Sequence, residues 1–179
     1  MNASPRIAPV TADNTPAASA PLLAAVKAKL GLTPNMMATM AHAPAVLRGY
    51  LSLAEALGGG RLGAAAGEAI ALAVGEANHC EYCVSAHAVL GKGAGLSEAD
   101  VSAARRAEAS DARRNALLRF ARAVVQQRGE IDDAALAAAR AAGLADAELL
   151  EAVAHVALNI LTNYVNHVAR TEVDFPRLG

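Results

Sequence analysis

Alanine-rich runs, cut at intervals by glycine or proline, leave this chain little choice but a bundle of helices. Alanine is the best helix former, and its small side chain lets helices approach closely. Apolar residues make up 54% of the 179, yet aromatics are only 3% and Trp is absent. The core must therefore come from close helix packing rather than from large rings. β-branched runs and hairpin dipeptides are scarce, and the length suits one domain with a genuine core. The expected fold is an all-α, single-domain helical bundle over residues 21–179. Residues 1–20 are rich in Pro, Ala, Ser, Thr and Asn, and read as an extended arm ordered only against a partner.

Glycine, proline and capping residues place the helices. Pro21 opens a first helix through Leu30, with Gly31 as its stop. Thr33-Pro34 starts a short helix to about Ala41, whose Met36, Met37 and Met40 read as core filler. Pro44 begins the next helix, ended at Gly58-Gly59-Gly60. Leu62 to Val74 is strongly apolar and carries Glu68. Gly75 then offers a break and Asn78 a new N-cap. The helix beyond ends at Gly91-Lys92-Gly93-Ala94-Gly95, a connector rather than a phosphate loop. Ser97 caps a helix with Glu98 and Asp100 in its first turn. Asp111 to Arg128 and Asp132 to Ala142 follow, closed by Gly129 and Gly143; the arginines of the former read as a solvated face. A last long helix runs from about Asp146 to Arg170, with Leu149, Val153, Val156 and Ile160 facing the core. Asn159, Asn163, Asn166 and His167 form a polar strip late in it, against helix propensity. The strip is either exposed or hydrogen-bonded at a site or subunit contact. Phe175, in the extended tail, needs a pocket. A faint echo relates Gly95–Val101 to Gly143–Leu149, either an old duplication whose second copy lost its thiols or the coincidence an alanine-rich chain produces.

The net charge is −1, from 16 basic and 17 acidic residues, which gives no case for nucleic acid or an anionic membrane surface. No apolar run approaches a membrane span. Met1 to Ala20 lacks the basic start and apolar block of a secretory signal. A thiol pair without such a signal fits a reducing cytoplasm.

The chemistry gathers in Asn78-His79-Cys80-Glu81-Tyr82-Cys83-Val84-Ser85-Ala86-His87, which holds both cysteines of the chain. Cys80 and Cys83 lie on one side of a helical turn, and His87 follows Cys83 by four on that side. A thiol is a weak nucleophile until it loses its proton, with a free pKa of about 8.5. A neighbouring imidazole accepts that proton or stabilises the thiolate. A second thiol closes a disulfide once the first is oxidised. The grouping fits a dithiol redox centre with its own base. Three other readings compete: buried structural cysteines, a permanent small-loop disulfide, and zinc on Cys80, Cys83, His87 and His79 with His42, His155 or His167 in reserve. The place of Glu68 depends on a bend. On one straight helix it would sit roughly 18 Å from Cys80, whereas a turn near Gly75 to Asn78 brings it back beside the cysteine helix. An N-cap at Asn78 puts Cys80 in the first turn, where the helix dipole favours a thiolate, while Cys83 lies closer to His87. Either is a candidate for the attacking thiol.

Glu68, twelve positions to Cys80, the Cys-x-x-Cys pair and four more to His87 resemble the alkyl hydroperoxidase D-like branch of the carboxymuconolactone decarboxylase superfamily. Leu32-Thr33-Pro34-Asn35 is similar to that branch's entry segment. Asn163-Tyr164-Val165-Asn166-His167 and Asp174-Phe175-Pro176 are similar to its closing, peroxidase-related segment, so the likeness covers about Gly31 to Pro176. The resemblance implies a helical, usually trimeric or hexameric protein that reduces hydroperoxides without haem, flavin or metal. It implies further that Glu68 orients His87, that His87 deprotonates Cys83, and that Cys83 attacks the peroxide. Cys80 would then close a redox-active disulfide that an external dithiol, protein or small molecule, reopens. Tyr82 stands where some members carry a second histidine. The lactone decarboxylase branch lacks the thiol pair, so its reaction is disfavoured. A non-enzymatic assembly protein, zinc-tied or purely structural, and a general disulfide-exchange or redox-sensing protein are the alternatives.

Overall fold

The computed structural model describes residues 4–177. Among them are nine α-helices and no strand: α1 Ala20–Leu30, α2 Asn35–Met40, α3 Pro44–Gly58, α4 Gly63–Ala77, α5 Glu81–Gly93, α6 Glu98–Arg105, α7 Ala112–Gln126, α8 Asp133–Ala141 and α9 Asp146–Ala169. The caps follow the sequence signals. Ser97 and Asp100 form a reciprocal capping box, and Asp111 and Asp132 each accept a backbone N–H three residues on. These contacts satisfy donors that a helix start otherwise leaves open.

The apolar helix α4 lies at the centre and packs against α5, α6, α7 and α9. Its Ile70, Leu72 and Val74 are fully buried, together with Leu117 and Leu118 of α7 and Val156 of α9. A second cluster joins Val26, the three methionines of α2, Leu47 and the cysteine-bearing start of α5, with Tyr50, Val173 and Phe175 packed on it. The site lies at this second cluster, where the two ends of the described chain meet.

Gly75 is not a break. It lies inside α4 and is buried. A Cβ there would come within 3.2 Å of Val84 and 3.5 Å of Cys83, so its role is to let α4 and α5 approach. The bend comes three residues later. Asn78 ends α4 rather than starting α5, and His79 takes the left-handed conformation, φ 56°. Cys80 N–H then bonds Gly75 O at 2.8 Å, and His79 N–H bonds Glu76 O at 3.0 Å. This is the paired 6→1 and 5→2 closure of a Schellman motif, with histidine where glycine is usual. Cys80 is itself the N-cap of α5, so it is not in the first turn as the sequence reading had it.

In α9 the buried stripe runs Leu149, Ala152, Val156, Asn159, Asn163, Asn166, in alternating steps of three and four. Val153 is off this line and 40% exposed, contrary to the expectation that it faces the core. The asparagines continue the core face of the helix and are buried. Among the described residues before α1, 4–19, several bond the chain itself, where an arm ordered only against a partner was expected. Arg6 and Ile7 N–H bond Ala169 O, Val10 N–H bonds Ala38 O, and Ser19 is buried with its hydroxyl on Ala41 O.

Candidate active site

The turn at residues 78–80 folds α5 back along α4, and Glu68 meets His87. Glu68 Oε2 lies 2.7 Å from His87 Nδ1. The two side chains keep 24% and 19% of their surface exposed, so protons can exchange with solvent. Burial works against a charged imidazole. The Glu68 carboxylate and the Cys83 anion outweigh it, and the pKa of His87 rises above its ordinary value.

Cys80 and Cys83 are both buried free thiols. Asn166 Nδ2 donates to Cys83 Sγ at 3.2 Å and reaches Cys80 Sγ at 3.9 Å. Cys83 Sγ also lies 3.8 Å from the Thr162 hydroxyl. A hydrogen bond from Cys80, the His87 cation and the Asn166 and Asn163 amides overcome burial and pull the Cys83 pKa down to about 6. Cys80, which gives that hydrogen bond and faces the Cys83 anion in a buried setting, is pushed well above the ordinary thiol range. The two thiols thus divide into one poised to ionise and one that keeps its proton. Replacing Asn166 with alanine removes the amide shared by both sulfurs. We expect the Cys83 midpoint to rise by about one pH unit, the order a lost charge-assisted hydrogen bond gives, checked by thiolate absorbance against pH.

Cys83 and His87 open onto an apolar cavity of about 130 Å³ walled by Leu32, Met36, Met37, Tyr50, Tyr82 and Phe175, among others. The wall is pinned where the C-terminal tail meets the start of α2. Asp174 Oδ2 accepts Asn35 N–H at 2.8 Å, Asn35 Nδ2 donates to Glu172 O, and Met36 N–H donates to the Tyr82 hydroxyl. Phe175 finds its pocket edge-on to Tyr82, centroids 5.7 Å apart. Tyr82 is therefore a wall of the cavity, not a substitute base. On the other side of His87 lies a chamber of about 190 Å³ lined by Glu68, His155, Gly67 and Asn159. Tyr50, His87 and Leu90 border both spaces. Burial and the nearby Glu68 and Cys83 charges push Tyr50 up to about 12, so it stays a neutral donor.

Glu68, Cys80, Cys83 and His87, singled out in the sequence, thus come to one place. Among the described residues, no three His, Cys, Asp or Glu side chains converge as metal ligands, so the reserve histidines do not complete a zinc set. Sequence reasoning missed Tyr50 and Thr162 altogether and left Asn163 and Asn166 undecided. The signal for the asparagines was present, since they extend the apolar stripe of α9 in register.

Fold and site together define an all-α protein with a vicinal dithiol and a carboxylate–imidazole pair. The carboxymuconolactone decarboxylase family model matches residues 44–127. Three solved structures share the fold. An uncharacterised peroxidase-related protein from Silicibacter sp. TM1040 has TM-score 0.81 at 22% identity, over 93% of this chain and 92% of that one. An alkylhydroperoxidase AhpD core protein, peroxidase-related and uncharacterised, from Ralstonia eutropha JMP134 has TM-score 0.79 at 25% identity, over 96% and 94%. The debrominase Bmp8, a cysteine-to-alanine variant holding 2,3,4-tribromopyrrole, has TM-score 0.81 at 19% identity, over 97% and 94%. Among curated proteins, no sequence matches the chain significantly. Residues 44–127 thus carry the carboxymuconolactone decarboxylase family pattern, and the whole chain has the fold of the peroxidase-related, alkylhydroperoxidase-like structures. Among the described residues, no helix is long and apolar enough to cross a membrane.

Proposed function

We propose that the protein is a thiol-dependent hydroperoxide reductase. The observation that carries this reading is the buried Cys83 thiol, lowered to about 6, lining an apolar cavity together with His87 of the His87–Glu68 pair. The Cys83 thiolate attacks the distal peroxide oxygen. The O–O bond breaks, Cys83 becomes a sulfenic acid, and the leaving alkoxide takes a proton from His87, whose charge Glu68 offsets. Cys80 then attacks the sulfenic sulfur, water leaves, and a Cys80–Cys83 disulfide forms. A dithiol returns two electrons and two protons. The chain's own residues supply every proton and electron up to that last step.

The apolar lining favours an organic hydroperoxide over hydrogen peroxide. The test is a stopped-flow panel of cumene hydroperoxide, a linear alkyl hydroperoxide and hydrogen peroxide, with 2,3,4-tribromopyrrole as a competing reactant because a debrominase shares the fold. Faster oxidation of the thiol pair by the organic peroxides is expected. Thiols inert to all three peroxides, or consumed faster by the bromopyrrole, would overturn the reading. Self-association also belongs to this proposal. Leu150, Leu161, Tyr164 and Val168 stand exposed along α9, an apolar stretch that an oligomer of this chain would cover. A reducing cytoplasm suits a dithiol that must be reset after each turnover.

A further inference from the structure

The two cysteines line different spaces. Cys83 lines the apolar cavity with Tyr82, Ala86 and Leu90 of α5. Cys80 lines a different cleft, of about 210 Å³, with Glu76, His79, Glu81, Ser85 and Arg105. No residue borders both spaces, since α5 turns one face to each. The cleft is polar where the cavity is greasy. Arg105 Nε bonds Glu76 Oε2 at 2.8 Å across it, and both side chains are partly exposed.

Resting on the reductase reading, we propose that a dithiol reductant enters through this polar cleft and attacks Cys80, so that oxidant and reductant use separate doors. The attacking thiolate bonds to Cys80 Sγ, the Cys80–Cys83 bond breaks, and Cys83 leaves as thiolate. Its low pKa makes it the better leaving group, because exchange is faster when the departing thiol is more acidic. The reductant's second thiolate then attacks the reductant's own bonded sulfur. The reductant departs as a cyclic disulfide, and Cys80 leaves and takes a proton from solvent in the cleft. The reductant is oxidised by two electrons and the protein pair is reduced by two. Arg105, lining the cleft beside the Glu76 and Glu81 carboxylates, is the guanidinium an incoming thiolate meets there, and peroxide in the other cavity need not be displaced.

The experiment starts from protein oxidised with diamide, so it does not depend on peroxide chemistry. The disulfide is opened with 2-mercaptoethanol, which is neutral, or with 2-mercaptoethanesulfonate, which is anionic. Samples are acid-quenched, freed thiols are alkylated, and peptides are mapped by mass spectrometry. The mixed disulfide is expected on Cys80 and the alkyl label on Cys83, by at least about tenfold over the reverse. In Arg105→Glu, at low salt, the anionic thiol should slow severalfold more than the neutral one. An adduct on Cys83, or a rate ratio between the two thiols unmoved by Arg105→Glu, would overturn the proposal. Failure of peroxide to oxidise the reduced protein, with the Cys80 adduct intact, would instead sink only the reductase reading.

Discussion

Cys83→Ser should abolish peroxide turnover, lowering kcat/KM by on the order of 10³-fold or more, because no other side chain in the cavity offers a comparable nucleophile. The companion change separates the two thiols. Cys80→Ser leaves the Cys83 thiolate beside His87, so it should still consume one equivalent of peroxide per chain and then stop at the sulfenic acid, which a dimedone adduct would reveal by mass. The roles would be reversed if Cys80→Ser, and not Cys83→Ser, lost that first equivalent. Both cysteines sit in tightly packed surroundings at 2% exposure, and serine is close in size, so circular dichroism should report an unchanged helical fold.

Glu68→Gln is expected to have the second largest effect, a loss of about 10²-fold in the oxidation step, in the range general acid–base partners supply. The pH profile distinguishes a proton role from a structural one. In the unaltered protein the Cys83 pKa lies below its ordinary value, at about 6, so the thiolate is present above that pH. Oxidation should therefore rise about tenfold per unit as pH climbs towards 6, level off, and fall again at higher pH where His87, which protonates the leaving oxygen, loses its proton. Cys83 is held down first by the hydrogen bond from Cys80 and then by the imidazolium, which is itself raised by the Glu68 charge. Neutralising the carboxylate lowers the pKa of His87, removes cation from beside the sulfur, and shifts the rising limb of the profile to higher pH. A variant that lost rate with the limb unmoved would show that Glu68 merely props the ring.

Much of this site could be read from residue spacing, because helices convert spacing into position. Four residues between Cys83 and His87 set one face, and the polar turn after an apolar helix announced that Glu68 would come back towards them. The turn expected near Gly75 to Asn78 lies at the far end of that stretch, and Gly75 itself is no break, for a physical reason. Glycine serves both to break helices and to let them touch, and only the neighbouring helix tells which. Here the neighbour is Val84, at a distance no side chain at 75 would tolerate easily. His79 carried no sign that it would adopt a left-handed conformation, since that position ordinarily asks for glycine. The cavity was illegible for a different reason. Its walls come from Leu32, Tyr50, Tyr82 and Phe175, which are distant in sequence and joined only by packing and by the Asn35–Asp174 contact. The asparagine strip was half legible: its register was plain, but a buried amide is stable only with a partner, and the partners Asn78 and the two thiols lie on other helices.

The tight helix stop that delivers Cys80 has a kinetic corollary. Because that residue closes one helix and starts the next, its sulfur is tethered at both sides a single turn from Cys83. Making or opening a bond between them calls for rotation about side-chain torsions, not for melting of any segment. In the proposed reaction such a centre would cycle without a slow gating motion, and a freshly oxidised sulfur would have its capturing thiol one turn away.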